Sequence, residues 1–262
     1  MAILKHELKQ SRIMWIIWTV AILSLMMVCI FLFPEMKKEM DEISKIFASM
    51  GSFSKAFGMD QLNFGTLLGF YSVECGNIMG LGGAFFACLC GINALAKEEK
   101  DHTAEFLLTH PVSRFHIVVE KLVAVLLQIV VMNLLIFGGI LLCIAFIGEV
   151  IPWKELILLH LAYFLLQIEL AGICFGISAF IRKQGLGIGL GLAVLMYFLN
   201  LIANISDQVQ FLNWITPFGY ADGSEIINEL ALNIPMISLG LGIALIAVLL
   251  GFYKYTRKDI AA

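Results

Sequence analysis

Six long stretches almost free of charge dominate this chain and leave it few ways to fold. They fall at residues 15–33, 75–96, 122–147, 156–181, 185–205 and 235–253. Each is long enough to cross a hydrocarbon core of about 30 Å as a helix rising 1.5 Å per residue. In lipid every backbone amide has to be bonded within its own segment or within a closed barrel, and the alternating pattern of barrel strands is absent. The expected fold is therefore an all-α polytopic membrane protein, a single transmembrane domain over residues 1–262 with six transmembrane helices. Composition agrees, because a chain that is 60% hydrophobic and 14% charged could not cover the surface of a soluble domain.

Charge gives these spans a direction. On the side of the termini stand Lys5, Lys9, Arg12, Lys97, Lys100, Arg114, Lys121, Arg182, Lys183, Lys254, Arg257 and Lys258, twelve in all, against Lys37, Lys38, Lys45, Lys55 and Lys154, five, on the other. The bias predicts that both termini and the loop from Lys97 to Lys121 are cytoplasmic, in a multi-pass protein of the cell membrane. The opposite side carries eleven acidic residues, among them Glu149, Asp222 and Glu225. A net charge of −3 offers nothing to a nucleic acid. All six cysteines lie in apolar segments without a CxxC pair, so neither a disulfide framework nor a structural metal site is expected. No small-residue cleavage site follows the first apolar run, which reads as a retained span. Residues 3–14 alternate apolar and charged positions as a short amphipathic, interfacial helix, either a lever or an anchor.

The most informative stretch joins the second and third spans. Asp101 or Thr103 can cap a helix start, with Glu105 near the positive end of its dipole. Pro111 pushes His110 out of helical geometry and stops that helix. From Thr103 to Thr109 it is only about 10 Å long. With Ala104, Phe106, Leu107 and Leu108 exposed at a boundary, so short a helix needs a partner surface. Ser113 can cap the next helix, which continues through His116 and Lys121 into the bilayer.

This pattern, an acidic pair after a span, Thr-x-Glu-x-Leu-Leu, and Pro-Val-Ser-Arg before the next span, resembles that of ABC-2 type ABC transporter permeases. His102 departs from it, standing where a glycine is frequent. The first extramembrane loop, with Phe53 to Asp60 and Phe64 to Phe70, and the segment Trp214-Ile-Thr-Pro-Phe-Gly-Tyr220 also resemble that family, which has a re-entrant or interfacial element at the latter. The resemblance implies a short cytoplasmic coupling helix between helices 2 and 3 that docks in a cleft of an ATP-binding subunit. By position it assigns that role to Glu98, Glu99, Thr103, Glu105, Phe106, Leu107, Leu108, Pro111, Ser113 and Arg114, with Lys121 matching as well. It further implies two copies of the ATP-binding subunit, a second copy of this permease or a related one, and ATP-driven export.

The chemistry that is missing points the same way. The glycine run 185–191 is followed by no lysine, so there is no GxxxxGK[ST] phosphate loop; ATP and magnesium belong on the partner subunit, and no cofactor is expected here. The glycines instead fall at GxxxG spacing, as Gly185/Gly189, Gly187/Gly191, Gly76/Gly80 and Gly172/Gly176, suited to close helix packing within one subunit or between two. An intramembrane enzyme lacks its parts: Ser178 and His160 are eighteen residues, about 27 Å, apart on one span, and a nucleophile needs its base within about 3 Å. Glu169, near the middle of the fourth span, is costly to bury and so a functional candidate. With Glu74, Asn133 and Asn200 it makes up the pathway candidates, and it supports the alternative of an ion-gradient-driven transporter or channel.

Overall fold

In the computed structural model, which describes residues 2–39, 46, 50–59, 61–97, 113–181 and 185–257, all six apolar runs are helices. They are α1 (Ala2–Lys38), α3 (Leu67–Asn93), α4 (Arg114–Ile147), α5 (Trp153–Ser178), α6 (Leu186–Ile205) and α8 (Ile234–Arg257). Two short helices, α2 (Ser52–Ala56) and α7 (Gly223–Glu229), lie in connections. Among the described residues there is no strand.

The distribution of side chains is the reverse of a soluble protein's. Gln128, Asn133, His160, Gln167, Glu169, Ser178 and Asn200 are buried, while Leu134, Leu142, Phe146, Leu195 and Leu249 face outward. Such a surface is stable only where the solvent is lipid, and the polar groups find their partners inside. The chain is thus an all-α polytopic membrane protein.

At its centre α3 packs on α5, which in turn packs on α8, while α1 packs on α4 and α6 on α3. Inside the bundle lie 72% and 61% of the apolar windows of α3 and α5, against 22% for each of α6 and α8, so α3 and α5 form the core pair. Small residues set their distance. A side chain at Gly91 of α3 would collide with the carbonyl of Ala171 on α5, and one at Gly176 of α5 with the backbone of Ala247 on α8. Three of the four GxxxG pairs serve this packing: Gly76/Gly80 lie against Tyr163, Gly172/Gly176 against α8, and Gly185/Gly189 against Ile92 of α3. The fourth pair, Gly187/Gly191, has open space beside it.

Residues 3–14, expected as a short amphipathic helix leading into the first span, are the first turns of α1 itself, a helix of 37 residues and hence about 55 Å long. Its buried stripe, Thr19, Ile22, Met26, Ile30 and Phe33, recurs every three or four residues along one face. The second span begins earlier than the charge-free run, at Leu67, because the Thr66 side chain accepts a hydrogen bond from the Gly69 amide and caps the helix there. It contains a π turn over Tyr71–Cys75.

Beyond α6 the chain turns through a 3₁₀ segment, Asp207–Trp214, and then re-enters the bundle. Thr216 Oγ1 donates to the carbonyl of Met196 at 2.8 Å, nine residues before the end of α6 and so about 13 Å along that helix. Phe218 and Tyr220 are buried. Asp222 then caps α7 by accepting from the amides of Ser224 and Glu225.

Candidate functional site

Two polar assemblies stand out, one at the end of the bundle where α1 begins and one in its interior. The first is built by three helices. Glu7, ahead of the apolar part of α1, accepts from Lys97 Nζ at 2.7 Å on one carboxylate oxygen and from Lys121 Nζ at 2.9 Å on the other. Lys97 follows the end of α3, and Lys121 lies two turns into α4, 1% exposed, where it also donates to the Ala94 carbonyl at 2.8 Å. Burial would raise the pKa of Glu7, but Lys121 and Lys97 outweigh it and hold the carboxyl below its usual range.

Next to it, Glu120 of α4 accepts from the Leu4 amide at 2.8 Å and pairs with His116 at 2.7 Å. A carboxylate at the amino end of α1 meets an unsatisfied N–H and the positive end of the helix dipole. At the start of the apolar part, Trp15 Nε1 donates to the Gln128 carbonyl at 3.0 Å. Beneath these contacts is a cleft of about 300 Å³ bordered by Glu7, Ser11, Asn93, Lys97, Lys121 and Gln128. The first turns of α1 are therefore fastened both to the end of α3 and to the start of α4.

These are the two helices on either side of the segment expected from the sequence to act in coupling. Of the residues assigned to it, Glu98, Glu99, Thr103, Glu105, Phe106, Leu107, Leu108 and Pro111 lie outside the described residues. Ser113 is the N-cap of α4, its hydroxyl accepting from the His116 amide at 3.3 Å, and Arg114 is the first residue of a helix that runs unbroken to Ile147. That Ser113 starts α4, and that α4 passes Lys121 into the apolar run, agrees with the sequence.

The pathway candidates do not come together. Glu169 of α5 accepts from the Tyr220 hydroxyl at 2.9 Å, and it occupies room left by Gly240 of α8, where any side chain would collide with its carboxyl group. Asn133 of α4 donates to the Gln167 side-chain oxygen at 2.7 Å. Asn200 of α6 donates to Asn213 at 3.1 Å near the far end of the bundle. Glu74 sits half-buried on the π turn of α3.

Sequence reasoning missed several partners. Tyr197 donates to Asn77 at 2.9 Å, and Asn204 reaches Ala56 and Asp222; with Asn200 they form a stripe on α6 facing a cavity of about 60 Å³ that also touches Ser72 and Tyr163. The spacing 197, 200, 204 is one helical face and was the available signal. Glu7 was signalled too, as the single acidic side chain among Lys5, Lys9 and Arg12. Nothing in the sequence pairs Glu169 with Tyr220.

Among known families, the model of the ABC-2 family transporter proteins matches residues 1–260. No curated protein matches the chain.

Proposed function

The chain belongs to the ABC-2 family of transporter proteins, and from this we propose that it is the membrane-spanning permease subunit of an ATP-driven exporter. It carries no phosphate loop, so the ATPase is a separate polypeptide, and two copies of it work on two permeases, this chain with a second copy or a relative. Both termini and the segment 98–112 face the cytoplasm of a cell membrane, in keeping with the excess of lysine and arginine on that side. The ATPases grip the coupling segment, and their closure moves α3 and α4 as levers to open the pathway alternately to each side.

The observation that carries this reading is the way the segment's two ends are built. On one side Lys97 is tied to Glu7, and on the other Ser113 caps a continuous helix of 34 residues. A displacement of the segment is thus passed to two whole helices instead of being lost in a loop. The enclosure of Glu169 by Tyr220 and Gly240 favours a fixed link between helices over an ion-carrying site, and so favours the ATP-driven reading. The test is copurification with the ATPase encoded beside this chain, followed by transport in proteoliposomes. We expect Leu107→Asp combined with Glu105→Lys to abolish both ATPase association and ATP-driven transport. Association and transport at wild-type levels in that variant would refute the coupling role, and uptake driven by an ion gradient without ATP would favour the alternative.

A further inference from the structure

We propose that Glu7 is a positioning residue, a shared counter-ion whose carboxylate clasps the end of α3 to the start of α4 and so fixes the stance from which the coupling segment works. The inference rests on the coupling role proposed above. Its geometry is specific: one carboxylate divides its two oxygens between Lys97, at 2.7 Å, and Lys121, at 2.9 Å. Lys97 immediately precedes the segment 98–112 and Lys121 lies two turns into the helix that follows it, so a single side chain of α1 bridges the elements on its two sides.

The surroundings stiffen this clasp. Lys121 is also tied to the carbonyl of Ala94, the residue that follows α3, so its ammonium group joins the end of α3 directly to α4, and Glu7 adds α1 as a third member. Glu120 and Trp15 then hold α1 on α4 at the Leu4 amide and the Gln128 carbonyl, on either side of Glu7 along the helix. Charge-assisted bonds of this kind, largely withdrawn from water, are short and directional. With α1 held at both flanks, Glu7 has little freedom to follow Lys97 if the end of α3 moves, so motion at the segment either carries α1 along or breaks the Lys97 bond. In either case the clasp sets how far α3 and α4 separate when the segment is pushed.

A purely structural role would be narrower: Glu7 would simply neutralise the buried Lys121. Substitution at Lys97 separates the two. Lys97→Gln leaves Glu7 and Lys121 paired and the Lys121–Ala94 bond in place, so charge neutralisation survives while Glu7's own bond to the end of α3 is lost. The experiment measures substrate transported per ATP hydrolysed in proteoliposomes holding the full complex, for wild type, Glu7→Gln, Lys97→Gln and Leu107→Asp. We expect Lys97→Gln to lower this ratio about fivefold or more, the lower end of coupling between distinct sites, with its unfolding temperature at the wild-type value. Glu7→Gln should do the same where it folds. A wild-type ratio in Lys97→Gln overturns the clasp. Leu107→Asp judges the coupling reading separately: if it has no effect while Lys97→Gln lowers the ratio, the clasp stands and force enters by another route.

Discussion

Replacing Gly240 with alanine tests the interior link between α5, α8 and the re-entrant element. A methyl group there would overlap the Glu169 carboxyl, lying 2.8 Å from Oε1 and closer still to Oε2, where carbon and oxygen normally keep well over 3 Å apart. Two responses are open. Glu169 swings away and loses the Tyr220 hydroxyl, a bond worth about 1 kcal/mol if both groups are neutral and up to about 3 kcal/mol if the carboxyl is charged. Otherwise α8 shifts off α5, and overpacking of this kind costs about 1–3 kcal/mol. The cheaper response governs, so Gly240→Ala should destabilise by about 1–3 kcal/mol. For a chain of this size about 2–4 °C accompany each kcal/mol, so thermal unfolding in detergent should fall by about 2–12 °C. Gly242→Ala, two residues along the same helix with open space beside it, should be neutral or gain up to about 1 kcal/mol from helix propensity. The decisive comparison is a double-mutant cycle: in a Glu169→Ala background the overlap is gone, and Gly240→Ala should recover at least about 1 kcal/mol. An equal cost in both backgrounds would refute the steric link to Glu169.

Ser113→Ala removes the side-chain cap of α4 and should cost about 1 kcal/mol, read as a lower unfolding temperature. Gly91→Ala drives a methyl group into the backbone of Ala171 and Phe175, which cannot rotate away; it should cost more than about 2 kcal/mol, whereas Gly187→Ala, beside open space, should stay within about 1 kcal/mol of wild type. Lys37→Ala, at an exposed pair with Glu149, should change stability by less than about 1 kcal/mol. At Glu225, shielding within the α7 connection, followed by the charges of Asp222 and Glu229, raises the carboxyl pKa above its usual 4.5. A carboxyl raised in the folded state opposes folding once the unfolded chain ionises, so stability falls as pH climbs through 4.5 towards the folded value. Glu225→Gln should flatten that fall and leave the protein slightly more stable at pH 7, measured as unfolding temperature against pH.

Much of this architecture was legible because lipid leaves so few choices. A run such as 122–147 had to be helical, and Pro111-Val-Ser-Arg114 announced where its helix starts, since proline blocks the preceding turn and serine supplies the cap. The limits of the reading lay where charge was used as a boundary. Residues 3–14 looked like a short interfacial helix ahead of the first span because Lys5, Glu7 and Lys9 interrupt the hydropathy, yet no glycine or proline breaks the helix before Pro34, and both belong to one continuous α1. Glu74 seemed to mark the start of the second span, but Thr66 caps the helix two turns sooner. The contacts of Glu7 were out of reach for another reason. Its partners are 90 and 114 residues away, and only the crossing of α1 over α3 and α4 brings them within reach.

Inside a membrane the outward and inward faces of a helix are equally apolar, so hydropathy does not say which neighbour a residue meets, and only small and polar residues do. Their azimuth has to be counted before they are grouped. At 100° per residue, positions two apart point about 200° apart, so of the pairs Gly185/Gly189 and Gly187/Gly191 only one could ever face α3; the structure seats the first against Ile92 and leaves the second open. The same count applies to Gln167 and Glu169 on α5. One points to Asn133 of α4, the other to Tyr220 and the gap at Gly240 of α8. Asn133 of α4 and Tyr220 therefore meet α5 on opposite sides of that helix. These groups are better understood as ties across two different seams of the same core helix, which is why removing Gly240's vacancy should disturb the α5–α8 seam and leave the Asn133–Gln167 bond in place.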